Sequence, residues 1–368
     1  MNSTRRHSSR RWLIPVALVA IAVTAAACGS SSTTSATGSS SPGATGGGAS
    51  GDAVTVRLGY FPNVTHAPAL VGVQKGFFKE KLGNLATLET KTYNAGSDAL
   101  NAMFADGVDI TYIGPNPSIN GYQKSNGDAV RIVAGSTSGG AEFVVKPEIN
   151  TAADLKGKTV ASPQLGNTQD VALRTWLKGQ GLNTDTSGGG DVTIKPQDNG
   201  DTLNAFKAGD IAGAWVPEPW GTRLVQEGGG KVLVDEKTLW PDGKFDTTNI
   251  LVAKKFLDAH PDVVKAILEG HLESLDYIKS NPDDSQKLAN AEIKAVTQKA
   301  LDDKVIQTAW KAMDFTADPL ASTLAKNASD AKAIGQLKST DITNIYDLTI
   351  LNQLLQAKGQ PPVKGLTT

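Results

Sequence analysis

The sequence predicts an α/β fold built as two lobes, and three observations predict it. Strand-like and helix-like segments alternate from Val54 to Ala253, the pattern of mostly parallel sheets with helices on both faces. About 315 residues follow the first 53, too many for one typical core and enough for two lobes with a helical tail. One stretch also occurs twice. Asp98–Gly114 and Asp201–Pro217, 103 positions apart, agree at Asp98/Asp201, Leu100/Leu203, Asn101/Asn204, Ala102/Ala205 and Ala105/Ala208. Each copy reads as a short helix, a glycine-containing stop, an apolar strand and an aromatic at the strand's end. Ligands of open α/β sheets sit beyond the carboxyl ends of the strands, so Tyr112 and Trp215 are expected on opposite walls of one cleft.

The first 28 residues read as an export signal. Arg5, Arg6, Arg10 and Arg11 make a basic start, and Trp12–Ala27 is an apolar run of sixteen residues, short of the ~20 that span a bilayer. Ala25-Ala26-Ala27 precede Cys28, the chain's single cysteine. The arrangement resembles a bacterial lipoprotein signal, which implies acylation of Cys28 and an extracytoplasmic, lipid-anchored protein. Ser9–Leu13 also resembles a twin-arginine export motif. Residues 29–52 are nearly all Ser, Gly, Thr and Ala. With nothing bulky to bury they are expected to form a disordered tether, reaching roughly 25–30 Å.

The elements follow in order. Val54–Gly59 alternates apolar and polar. Thr65-His66-Ala67-Pro68 opens a helix that stops at Gly76, Pro in the first turn being compatible with its missing N–H. Leu88–Thr92 is a strand, Asp98–Ala105 a helix capped by Ser97, and Asp109–Ile113 a strand. Pro117 opens the next helix, and Val130–Ala134 and Ala141–Val145 are strands, the latter crossing to the second lobe. There Thr159–Ala161, Val192–Lys195, Ile211–Val216 and Lys231–Val234 are strands. Helices are expected after Asn167 or Thr168, over Asp201–Ala208 and over Glu218–Gln226. Asn249–Ala253 returns the chain, and helices fill the rest, the last over Asp341–Ala357. The expected partition is 53–143 with 248–368 as lobe 1, and 144–247 as lobe 2.

Four loops lead from a strand end into a helix: Tyr60–His66, Gly114–Ser118, Ser162–Gln169 and Trp215–Trp220. A helix N-terminus offers unpaired N–H groups and a partial positive charge, which suit an anion. These loops add Ser, Thr, Asn and Gln but no Lys or Arg, so they suit a compact monoanion held by dipoles. Ser136–Gly140 is a fifth loop, or a hinge. The same residue types are ordinary turn and cap chemistry, and strand-end aromatics are as often core.

Leu58–Phe78 resembles the opening of solute-binding proteins of ABC transporters for aliphatic sulfonates, taurine and nitrate. Leu100–Gly114, Asp154–Val160, Asn204–Trp220 and Thr248–Pro261 resemble later segments of that family. The resemblance implies a periplasmic-binding-protein-like fold of type II with two crossing hinge strands. It implies a permease and a cytoplasmic ATPase as partners, no cofactor, and no catalysis. Its ligand-contacting loops carry over to the segments around Asn63–His66, Gly114–Asn116, Ser136–Gly140, Gly166–Gln169 and Trp215–Glu218, and with the aromatics Phe61 and Tyr112 the candidate site is Phe61, Asn63, His66, Tyr112, Gly114, Asn116, Ser136, Ser138, Gly139, Gly166, Asn167, Thr168, Gln169, Trp215 and Glu218. An aliphatic sulfonate is the expected ligand. The alternatives are taurine, nitrate, a pyrimidine precursor of thiamine, or a sensor that transports nothing. Taurine's ammonium requires a carboxylate in the cleft, from Glu142, Asp170 or Glu218, and a pyrimidine requires stacking between Tyr112 and Trp215.

Other classes lack their chemistry. Net charge is −1 without a basic stripe, which disfavours nucleic acid. The pyrimidine synthases of the same fold use a cysteine-rich motif and iron, and here the one cysteine is in the leader. Of four histidines only His66 lies at a candidate site, with His260 and His271 expected on surface helices, so no metal cluster is expected. No GxSxG or phosphate-loop pattern occurs. The expected state is a monomer.

Overall fold

The computed structural model describes residues 54–366. The expected signal with Cys28 and the expected tether lie outside the described residues.

The chain runs β1 (Val54–Tyr60), α1 (Ala67–Lys75), α2 (Phe77–Leu82), β2 (Ala86–Thr92), α3 (Gly96–Phe104), β3 (Ile110–Ile113), α4 (Pro115–Lys124) and β4 (Val130–Gly139). It continues through β5 (Ala141–Val145), β6 (Thr159–Ser162), α5 (Thr168–Gly179), β7 (Thr193–Pro196), α6 (Asn199–Ala208), β8 (Gly213–Pro217), α7 (Trp220–Gln226) and β9 (Lys231–Asp235). The last part is β10 (Asp246–Ala253), α8 (Lys254–Ala259), α9 (Pro261–Ser280), α10 (Pro282–Thr297), α11 (Asp303–Lys311), β11 (Met313–Phe315), α12 (Ala321–Ala333) and α13 (Thr349–Ala357).

Two sheets result, ordered β2-β1-β3-β10-β4-β11 and β7-β6-β8-β5-β9. The first five strands of one correspond in order and direction to the five of the other. β1 is parallel to β2 and β3, as β6 is to β7 and β8. The fourth strand of each sheet is antiparallel to its neighbours and reaches its place by crossing from the other half: β10 into the first sheet, β5 into the second. The forward crossing turns at Gly139-Gly140, with φ of 82° and 75°. A Cβ on Gly140 would also lie 2.4 Å from Met313 Cγ, so backbone conformation and packing both require glycine there.

Burial follows the pattern of the strands. In β1 Val56, Leu58 and Tyr60 are buried, and the Tyr60 hydroxyl donates to Glu292 on α10. β2, at the sheet edge, carries Glu89 and Lys91 as an exposed ion pair, which blunts edge pairing. One continuous apolar core joins the first sheet to α1 and to α9–α13. The second sheet has a smaller core on each face, one around Phe143, Trp215 and Leu177, the other around Phe206, Val216 and Leu224.

Three expectations change. Ser136–Gly139 is strand, not loop, because β11 pairs with it: Phe315 with Thr137 and Met313 with Gly139. Residues 341–348 are not the start of a helix. They lie along the stretch of β4 that β11 leaves open, where Ile132 N donates to Ile345 O and Asp347 N to Ile132 O, and only Thr349–Ala357 is helical. His271 is fully buried rather than on a surface: its Nδ1 meets the Tyr112 hydroxyl at 2.9 Å and its Nε2 the Gly135 carbonyl at 3.0 Å. Among the described residues no helix is long and apolar enough to cross a membrane.

Candidate functional site

The carboxyl ends of the parallel strands in both sheets meet around one chamber of about 40 Å³. The turn after β1 brings Phe61, Asn63, Thr65 and His66. The start of α4 brings Gly114 and Pro117, the start of α5 Asn167, Thr168 and Gln169, and the start of α6 Asn199. β8 ends there at Pro217, and β10, arriving from the second half, contributes Thr247 and Thr248. The halves are in close contact. A Cβ on Gly114 would stand 2.6 Å from Thr168 Oγ1, and Asn120 Nδ2 donates across to the Gly166 carbonyl at 3.1 Å.

No Lys, Arg, Asp or Glu lines the chamber. What lines it is neutral, polar and short of partners. Thr168 Oγ1, Thr248 Oγ1, Asn167 Oδ1 and Asn199 Oδ1 are buried without a hydrogen bond. Such groups are rare in folded proteins, and four of them line one chamber. The threonine hydroxyls can donate, and an asparagine amide rotated by half a turn offers two N–H groups. The Thr168 and Gln169 amides of α5 and the first amides of α6 have no intrahelical acceptor, whereas the Asp170 amide already donates to the Asn167 carbonyl at 3.0 Å.

His66 adds a neutral donor. Burial holds its pKa down at about 3. The Phe61 amide donates to its Nδ1 at 3.3 Å, and its ring stacks on Phe61 with centroids 4.4 Å apart. Accepting at Nδ1 fixes the tautomer that carries its proton on Nε2.

Of the sequence-predicted residues, the structure gathers Phe61, Asn63, His66, Gly114, Asn167, Thr168 and Gln169 at the chamber. It places the others elsewhere. Tyr112 points into the first core, toward His271. Trp215 points into the second, stacked on Phe143 with centroids 5.5 Å apart and donating to Glu236 Oε2 at 2.7 Å. Each is the apolar-face residue of a central strand, so the pair does not wall the cleft. Asn116 turns toward α12, its Nδ2 3.4 Å from the Asn327 carbonyl. Ser136 and Ser138 lie within β4, Ser138 Oγ accepting from Phe245 N. Gly139 is at the crossing, and Gly166 is spent on Asn120. Glu218 accepts from the Thr222 amide and hydroxyl inside the second half.

Thr65 lies within the expected loop Tyr60–His66, and the polar lining residues outside the expected loops are Asn94, Asn199, Thr247 and Thr248. The repeat carried a signal for one of them, Asn199. At the same spacing of 103, Thr65 aligns with Thr168 and Gly96 with Asn199, and all four line the chamber. Thr247 and Thr248 had no such signal, because β10 belongs to no copy of the repeat.

Buried acids stand behind the chamber near the crossings. Burial and mutual repulsion raise Glu142, and burial raises Glu218 beside it. Burial pushes Glu236 and Asp246 each up to about 7. Asp170 is tied up with Arg174 at 3.0 Å and with Ser162 at 2.7 Å. Among the described residues no group of three or more His, Cys, Asp or Glu is placed to hold a metal.

The comparisons with known proteins agree with this architecture. The taurine-binding periplasmic protein of Escherichia coli is 28% identical over 231 residues, covering 63% of this chain and 68% of that one. A bicarbonate transport ATP-binding protein of Synechocystis is 27% identical over 243 residues, covering 61% of this chain; the chain spans 35% of that protein's length. The solved structure of the periplasmic nitrate-binding protein of Synechocystis superposes with a TM-score of 0.67 at 16% identity, covering 83% of this chain and 89% of that one, which shows the periplasmic-binding-protein fold. The NMT1-like family model matches residues 49–293, and the chain belongs to the NMT1-like family.

Proposed function

We propose that this protein is the extracytoplasmic solute-binding component of an ABC importer, and that its solute is a compact oxyanion. The observation that carries the reading is the set of four unpartnered polar oxygens around a chamber with no charged lining, lying between two halves. The chamber's size supports a small guest. One water needs roughly 10–15 Å³ of such space, so about 40 Å³ holds three or four non-hydrogen atoms. Nitrate, bicarbonate and a bare sulfonate head, of four non-hydrogen atoms each, fit this description, and methanesulfonate, with five, marks the limit.

Two alternatives lose support. Taurine's ammonium finds no carboxylate, since Glu142, Asp170 and Glu218 are absent from the lining. A pyrimidine finds neither room nor a stacking pair, Tyr112 and Trp215 being core residues. Thermal denaturation of the purified protein with nitrate, bicarbonate, methanesulfonate, taurine and a pyrimidine tests the reading. A ligand at a hundred times its Kd adds about 2.7 kcal/mol to the folded state, so a small oxyanion should raise the midpoint by a few degrees. Stabilisation by the pyrimidine alone, or by none of the five, contradicts the proposal.

The proposal includes delivery to a permease and its ATPase, with the protein held at the membrane by lipid on Cys28. The support is the leader and tether of the sequence. Metabolic labelling with a radioactive fatty acid should mark the wild type and not C28S; equal labelling of both removes the anchor.

A further inference from the structure

Beside the chamber lies a second, larger space. It is an open groove of about 1,030 Å³ between α6 and α7 of the second half and α10 and α11 of the first. Asn63, Asn94 and Asn199 line both spaces, so chamber and groove are neighbours. Two bridges between the halves separate them. The Trp220 indole N–H donates to Asn63 Oδ1 at 2.9 Å, and Asn94 Nδ2 donates to Asp198 Oδ2 at 3.2 Å.

Trp220 is the bulkier barrier, and it is held in place. The Arg223 guanidinium lies 4.6 Å from its ring centroid and is itself tied to Glu227 at 2.7 Å. The groove's lining includes the apolar Ile293, Leu301 and Val305. The arrangement is a polar chamber without charged lining, the Trp220–Asn63 and Asn94–Asp198 bridges beside it, and a groove of mixed lining in which Ile293, Leu301 and Val305 lie among Arg223, Glu227, Lys299 and Lys304.

We propose that Trp220 is a specificity-determining residue that sets the upper length of the guest. With the indole latched to Asn63 the halves close over an oxyanion and nothing more. With the ring removed, chamber and groove become continuous, and an oxyanion bearing an alkyl tail is accommodated with its tail in the groove. The inference rests on the anion-binding reading above.

Calorimetric titration of the full chain with methanesulfonate and hexanesulfonate decides it, for wild type, W220A and W220F. Wild type should prefer methanesulfonate by at least about tenfold, the scale on which pockets discriminate by shape. W220A should bring the two affinities within about threefold of each other or reverse them. W220F, which keeps an aromatic wall but loses the N–H, should keep the preference and weaken both anions alike. Binding with a preference unchanged in W220A overturns the gate and leaves the anion reading intact. Binding of neither anion to any variant overturns the reading and the gate together. Should W220A fail to fold, a series of alkanesulfonates of one to six carbons on wild type and W220F replaces it. A fall in wild-type affinity beyond the shortest members supports the gate, and a flat or rising series overturns it.

Discussion

The two halves agree at their tips and differ in what supports them. Residues 103 positions apart converge on one chamber: Thr65 with Thr168, Gly96 with Asn199, Gly114 with Pro217. The strands that carry them occupy matching places in the two sheets. Behind those tips the first half has one continuous core reaching into the C-terminal helices, while the second has two thin cores, one per sheet face. The difference teaches that the repeat preserves where a strand ends rather than what packs beneath it.

Substitutions at matching positions should break that parallel unequally. The largest effect is expected from Trp215→Ala. It empties the centre of a small core and leaves Glu236 without its 2.7 Å donor, and removing a buried tryptophan costs about 3–5 kcal/mol. Denaturant unfolding should show that loss, while the ligand affinity of the folded fraction stays within about twofold. A large loss of affinity with little loss of stability would put Trp215 back on the cleft wall. Its counterpart Tyr112, cut to Phe, gives up one hydrogen bond to His271, a loss of about 1 kcal/mol.

Between those extremes lies pH. Glu236 and Asp246 have folded pKa values raised to about 7, and Glu142 and Glu218 are raised as well. In the unfolded chain these acids are already ionised above their ordinary values, so the folded state holds extra protons and loses stability as pH rises through 7. His66 and His271, lowered to about 3 and about 4, act in the opposite sense and only below about 6.5. Unfolding free energy should therefore fall by roughly 2 kcal/mol from pH 6.5 to 8. The variant D246N should flatten part of that slope; a profile level or rising over this interval would show the acids ionised in the fold.

The finest comparison is Thr65→Val against Thr168→Val. Thr168 Oγ1 is one of the unpartnered oxygens, so its loss should weaken anion binding by about tenfold, the ~1.5 kcal/mol of a hydrogen bond to a charged group. Thr65 meets its surroundings through its backbone, the Thr137 hydroxyl donating to its carbonyl at 2.7 Å, and its side chain should matter about threefold or less. Equal losses would mean that the halves grip the guest symmetrically.

The fold was legible because period and punctuation agreed along most of the chain. Pro68 and Gly76 bound α1, and the strand–helix alternation gave both sheets. It was illegible where long-range pairing decided the conformation. Ser136–Gly139 carries turn residues yet is strand because Met313–Phe315 lies alongside, and 341–348 carries helix-compatible residues yet follows the open edge of β4. For the candidate site, sequence located the right strand ends but not which face each side chain takes. Tyr112 lies inside β3 with its ring in the core, while Gly114, past the strand's end at the cap of α4, reaches the chamber. Thr248 was invisible for a third reason. It arrives on a crossing strand, and no local signal says which sheet such a strand will join.

The chargeless lining has a consequence for the surroundings in which the protein works. A grip made of hydroxyls, amides and helix ends is short-ranged and desolvated, so mobile ions screen it far less than they screen exposed charges. It also provides no long-range field to draw anions in. If the chamber holds the anion as proposed, its retention should change little between dilute and briny media, and its capture should proceed at an unsteered diffusional pace.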